Sequence, residues 1–251
     1  QGVGLAAPLN PGGWQNLLGL PPEVSARWQA LDLQAEVAAL SDWPVSLVKD
    51  TAAACMAELV AGRGRQVKTF LYIFVDTFIG GGLVLDGHLR GGVNGNAGAV
   101  GSLPLWTAPA TRRSGEAPAQ LLAVASLITL ERAYAQAGLA RDALLDARAL
   151  QPPWLPHTER LLAESGAAIA QAVQSAACLL DLDSVVLEAA AGVSCWRRCW
   201  PAARRRWSAT TGRAWPARRC WPAPSAATRG RWAARCCRCT PPLPSSARTR
   251  C

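Results

Sequence analysis

The chain has 251 residues, 50% of them hydrophobic and 17% charged, enough to bury a sizeable core in one large domain or two lobes. Its formal charge of +9 is concentrated at the far end: residues 193–251 hold fourteen arginines and no acidic residue, which leaves −5 for residues 1–192. A mildly acidic body excludes a global basic footprint for nucleic acid, and no apolar run reaches the length of a membrane-spanning helix.

In chain order, residues 3–9 read as a strand and residues 11–22 as a loop rich in Gly, Pro and Trp. Residues 23–40 carry helical periodicity, with Val24, Trp28, Leu31, Val37 and Leu40 at the apolar positions, until Asp42-Trp43-Pro44 breaks it. Residues 45–48 form a short strand. Its exit sets Lys49 and Asp50 at a carboxyl end, the usual location of ligands in open α/β sheets. An alanine-rich helix over 51–61 stops at Gly62-Arg63-Gly64. On sequence alone, Asp50 is either an N-cap for that helix or a carboxylate facing a ligand.

The most informative stretch is residues 69–104, TFLYIFVDTFIGGGLVLDGHLRGGVNGNAGAVGSLP. Residues 70–75 are a continuous apolar, β-branched and aromatic run, the pattern of a strand buried on both faces. Gly80-Gly81-Gly82 gives backbone that can approach a ligand closely or adopt positive φ. Leu83-Val84-Leu85 returns as a second strand into an Asp86-Gly87 hairpin turn. The glycine- and asparagine-rich residues 91–98 follow, so that main chain can wrap a polar small molecule. A tight β-meander explains the same pattern.

Further on, residues 118–137 predict a long helix, residues 140–150 another, and Pro152-Pro153 a break. Residues 158–179 predict a third helix with Thr158 as its cap, and residues 184–187 a buried strand. Cys55 and Cys178 are expected as small buried thiols on apolar helical stretches. His88, beside the hairpin, and His157, at a helix start, read as surface or capping residues. Helices flanking short apolar strands indicate an α/β fold.

The order of strand, triple glycine, hairpin and glycine-asparagine loop resembles the ROK family of sugar kinases and sugar-sensing transcriptional repressors. The resemblance extends upstream to residues 44–54, similar to a family strand ending in E-N-D before a helix, and downstream to residues 178–187. It implies an actin-like, ribonuclease-H-like α/β fold of two lobes with a sugar cleft between them, here incomplete. Residues 1–65 then belong to the first lobe and residues 66–192 to the second. A fragment is expected, because the family opens with a D-x-G-G-T phosphate loop that is not in this sequence, and repressor members place a helix-turn-helix before that.

By the same resemblance, Asp50 matches the catalytic base that takes a proton from the sugar hydroxyl. Asp50, Asn94 and Asn96 are the sugar-binding candidates, and Thr77, Gly80, Gly81 and Gly82 the phosphate-binding ones. The asparagines serve loop capping equally well. Several positions depart from the family pattern. Lys49 stands where a sugar-binding Asn is usual, Asp76 and Phe78 replace two glycines of the phosphate loop, and Ala99 and Ser102 replace a sugar-binding Glu and a His that touches sugar and often zinc. A carboxylate at 76 opposes the charge that a phosphoryl-transfer site must stabilise. Residues 102–118 contain no Cys or His, so no structural zinc is expected there. These departures favour a non-catalytic, sugar-sensing regulator, which needs only differential affinity between two states. The alternative is a hexose kinase using ATP and magnesium. A cytoplasmic setting, a small-molecule sugar ligand, DNA contact only through a preceding domain and homodimerisation of the full-length protein complete the expectation.

Residues 193–251 hold six of the eleven tryptophans and seven of the nine cysteines, with a single Leu and no Ile, Phe, Tyr or Met. No helix or strand period can be written there. A basic aromatic nucleic-acid arm and a cysteine zinc cluster are two readings. The preferred third is an out-of-frame translation of a GC-rich gene, since shifting the frame over residues 232–240 gives an apolar run similar to the closing segments of the family.

Overall fold

The computed structural model describes residues 2–8, 18–106 and 118–190. The arginine-rich region 193–251, with its out-of-frame reading, lies outside the described residues. Strand β1 (Val3–Ala7) pairs in parallel with β2 (Val45–Lys49), Val3 opposite Val45 and Ala7 opposite Lys49. Two short helices precede β2, α1 (Pro22–Ala30) and α2 (Leu33–Ala38). The single periodic stretch expected over 23–40 is therefore divided. Asp32 makes the division: its carboxylate accepts a hydrogen bond from the Ala35 amide at 2.9 Å and starts α2. Neither helix buries a side chain, and Trp28, Leu31 and Leu40 are exposed.

Helix α3 (Asp50–Ala61) leaves β2 directly and lies against the larger sheet, which consists of β3 (Phe70–Val75), β4 (Gly80–Leu85), β5 (His88–Arg90) and β6 (Ser184–Ala189) in the order β5-β4-β3-β6. Central β3 runs antiparallel to β4 and parallel to β6, Phe70 facing Val84 on one side and Ser184 on the other. Alternation along β3 divides the core, because successive side chains leave opposite faces. Phe70 and Tyr72 pack with Val84, Val186 and Cys55 of α3. Leu71, Ile73 and Val75 enter a larger cluster with α4 (Leu121–Ala125), α5 (Leu127–Gln136) and α6 (Leu155–Leu180). The uninterrupted apolar run of β3 thus has a core on each side. Asp86 and Gly87, both at positive φ (54° and 77°), turn β4 into β5.

Three expectations about the later helices need correction. The helix expected over 118–137 is broken at Ser126, which is extended (φ −90°, ψ 147°), because the chain there bonds the β3–β4 connection instead of itself. Leu127 N donates to Asp76 O at 2.9 Å, Ile128 N to Thr77 O at 3.2 Å, and Ile79 N to Ser126 Oγ at 3.0 Å. Residues 140–150 form two 3₁₀ turns, Arg141–Leu145 and Ala147–Leu150, divided at Asp146, whose carboxylate accepts from Arg148 N at 2.8 Å. Helix α6 starts at Leu155, so Thr158 is not its cap; the buried Thr158 hydroxyl meets Tyr134 Oη at 2.6 Å. Cys55 is buried as expected, whereas Cys178 is exposed near the end of α6. No helix among the described residues is long and apolar enough to cross a membrane.

Candidate functional site

The parallel pairing of β1 and β2 places Lys49 at the carboxyl end of a strand, where it is also the residue that caps α3 (φ −61°, ψ 135°). Asp50 is the first residue inside the helix, not its N-cap, and it is exposed. Its Oδ1 accepts from the Thr51 amide at 2.6 Å, so one carboxylate oxygen is held against the helix start and the charge sits favourably at the positive end of the α3 dipole.

Residues 91–98 come to this junction from β5. Gly92, Gly95 and Gly98 all have positive φ (75°, 67° and 77°), and Ala97 N donates to Gly91 O at 2.9 Å, which closes the loop on itself. The loop end is clamped to β4: a Cβ added at Gly98 would stand 2.6 Å from the Gly82 carbonyl carbon. With the loop so fixed, Asn96 lies within reach of β2, and Lys49 Nζ donates to Asn96 Oδ1 at 3.1 Å across 47 residues of sequence. Lys49 and Asn96 therefore meet, next in the chain to Asp50. Asn94 is exposed and makes no side-chain hydrogen bond among the described residues. Burial holds the Lys49 ammonium below the ordinary lysine value, against the opposing pull of the Asp50 charge.

The residues expected to receive phosphate are arranged less openly. Gly80, Gly81 and Gly82 are not a loop but the first half of β4, opposite Phe74, Ile73 and Tyr72, and none of them has positive φ. Their lack of a side chain serves close packing. A Cβ at Gly80 would stand 2.7 Å from Thr51 Cγ2, one at Gly82 2.6 Å from Cys55 Cβ, and one at Gly81 would collide with the Tyr72 carbonyl oxygen. Gly81 and Gly82 are buried. Thr77 is exposed, but its amide donates to Asp76 Oδ1 at 2.7 Å, and the Asp76 and Thr77 carbonyls are taken by the start of α5. The Thr77 and Ile79 amides are thus both engaged within the chain in this conformation. The Gly80–Thr51 approach nonetheless joins the β3–β4 connection to the Asp50 junction. Thr51 Oγ1, at that contact, is buried and has no hydrogen-bond partner among the described residues.

His88 Nδ1 donates to Asp86 O at 2.8 Å within the hairpin, and His157 meets the Tyr134 ring edge-on, their centroids 6.2 Å apart. Ala99 is half-buried, and Ser102 is exposed on the 3₁₀ turn Val100–Ser102. Among the described residues no group of three or more His, Cys, Asp or Glu side chains could hold a metal ion. Sequence reasoning treated Lys49 as the loss of an asparagine and missed its contact with Asn96. The signal available was the matching of a long cationic donor on one strand end with an amide-bearing loop whose glycines let it fold back.

The mixed α/β chain has the actin-like ATPase fold of the ROK sugar kinases on which it superimposes. The ROK hexokinase from Thermus thermophilus superimposes with a TM-score of 0.63 at 27% identity, covering 83% of this chain and 72% of that one. The ROK family model matches residues 2–195, and the chain belongs to the ROK family. The N-acetylmannosamine kinase of Haemophilus influenzae is 37% identical over 98 residues, 39% of this chain. The xylose repressor of Bacillus subtilis is 26% identical over 81 residues, 32% of this chain. These matches span only 29% and 21% of those two relatives.

Proposed function

We propose that the chain binds a sugar at the β2–α3 junction, between Asp50 and the 91–98 loop, and that it acts as a ligand-sensing domain of the regulator type. The Lys49–Asn96 hydrogen bond carries the reading of the site, because it brings an ammonium, a carboxylate and an amide from distant parts of the chain to one exposed place. Such a group of donors and acceptors suits a polyhydroxylated ligand. Sensing is favoured over phosphoryl transfer by Asp76, whose carboxylate occupies the Thr77 amide and adds negative charge where a transferring phosphate would need positive.

The second reading, an ATP-dependent sugar kinase, is supported by the relatives named as kinases and by the exposure of the Asp50 carboxylate, a group of the kind that accepts a proton from a sugar hydroxyl. Isothermal titration of the full chain with glucose and N-acetylmannosamine, alongside a coupled assay of ADP release with ATP and magnesium, separates the two. Sugar binding without turnover supports the sensor. Turnover that disappears in Asp50→Asn establishes the kinase instead, and no binding of any sugar overturns both.

A further inference from the structure

Lys49 stands out among the charged groups of the described residues. Its side chain is half-buried, yet it forms no ion pair there: its hydrogen bond goes to a neutral amide oxygen, and the adjacent Asp50 carboxylate is bonded to the Thr51 amide instead. The Asp50 charge acts on it only from a distance, so a partly desolvated ammonium in no ion-pair contact has donor capacity left for a charged ligand group.

The bond also fixes the orientation of Asn96. An ammonium can only donate, so the atom facing Lys49 must be the amide oxygen, and the Asn96 amino group is then directed away with both N–H bonds unused among the described residues. Two unused protons on Lys49 Nζ and two on Asn96 Nδ2 make the place rich in donors. The loop itself, residues 91–98, contributes no charged side chain. The opposing group is Asp50, and an anion would have to be held by Lys49 and Asn96 against its repulsion. Such an anion forms a bond in which both partners are charged, whereas a neutral hydroxyl offers the ammonium the weaker bond of a single charged partner.

We propose that Lys49, with Asn96, makes the site selective for an acidic sugar, one bearing a carboxylate or a phosphate ester, over its neutral counterpart. The inference rests on the sugar-binding reading above and names the ligand class of that same site. The test is titration of the full chain with glucuronate, glucose 6-phosphate and glucose at low and at high salt, repeated with Lys49→Met and Lys49→Arg after checking by circular dichroism that each variant is folded.

The expected result is a preference of about tenfold or more for an acidic sugar, the size of one charge-assisted hydrogen bond. It should weaken with salt, vanish in K49M and survive in part in K49R. Which acidic sugar is preferred distinguishes a carboxylate from a phosphate ligand. Glucose binding as tightly as both acidic sugars overturns the selectivity while leaving sugar recognition standing, as does a preference unchanged in K49M. If none of the three binds, sugar recognition and the selectivity built on it fail together.

Discussion

At the scale of single residues, the glycines of β4 show why a motif associated with ligands also has a structural burden. Gly81 sits where any Cβ would strike the Tyr72 carbonyl oxygen and approach the Gly98 carbonyl oxygen at 2.8 Å, both backbone atoms that cannot rotate away. Gly91, in contrast, has no positive φ, and a methyl group added there would meet no atom within 4 Å. Gly81→Ala is therefore expected to destabilise the fold by about 1–3 kcal/mol, the usual cost of overpacking. Gly91→Ala should stay within about 0.5 kcal/mol of the parent, as an exposed substitution does. Denaturant titration of the two variants checks this; equal stability would mean that the β4 glycines are kept for reasons other than packing. Whatever they offer a ligand, all three are already committed to close packing: Gly80 and Gly82 against α3, Gly81 against β3 and the loop.

At the scale of elements, the segment Leu121–Ala125, Ser126, Leu127–Gln136 is set by a tertiary bond that overrides helical propensity. Ser126 Oγ donates to Leu122 O at 2.6 Å and accepts from Ile79 N at 3.0 Å, with the residue fully buried. Ser126→Ala removes both and takes a partner from the buried Ile79 amide and from the part-buried Leu122 carbonyl. Its expected cost is about 1–3 kcal/mol, read as a lower denaturation midpoint with unchanged m-value. A variant as stable as the parent would show that the break at 126 is not held by this hydroxyl. The same residues explain what could be read in advance. β3 was legible because six consecutive apolar residues have no other common use, and the Asp86-Gly87 turn because its dihedrals demand those residue types. The break at Ser126 was not, since it depends on the β3–β4 connection opposite in space; the break at Asp32 is a local cap, obscured by the apolar period that runs on through it. The site was half legible. Asp50 and the asparagine loop could be singled out from sequence, but the Lys49–Asn96 pairing depends on the clamp of Gly98 on Gly82.

At the scale of the whole molecule, the described residues divide by how much they bury. The four-stranded sheet has a core on both faces, and α6 contributes seven buried residues to the larger one. The β1–β2 pair is half-exposed along its length, and α1 and α2 bury nothing, with Leu40 82% exposed. Opening free energy follows buried apolar contact, because hydrophobic burial is what opposes the entropy gained on opening. Native-state hydrogen exchange should therefore be slowest for the amides of β3, β4, β6 and the middle of α6, and fastest for α1 and α2, with β1 and β2 between. The candidate site lies on the boundary: Lys49 ends β2 on the weakly buried side, while Asp50 opens α3 and the 91–98 loop is tied to β4, both on the strongly buried side. A ligand that bridges them would couple the two, so the tightest-binding sugar should slow exchange in β1 and β2 more than in β3 and β6, whose protection is already set by the core. Uniform slowing across both sheets would mean that the two sides open as one unit. No change in β1 and β2 on binding would place the ligand away from the β2–α3 junction.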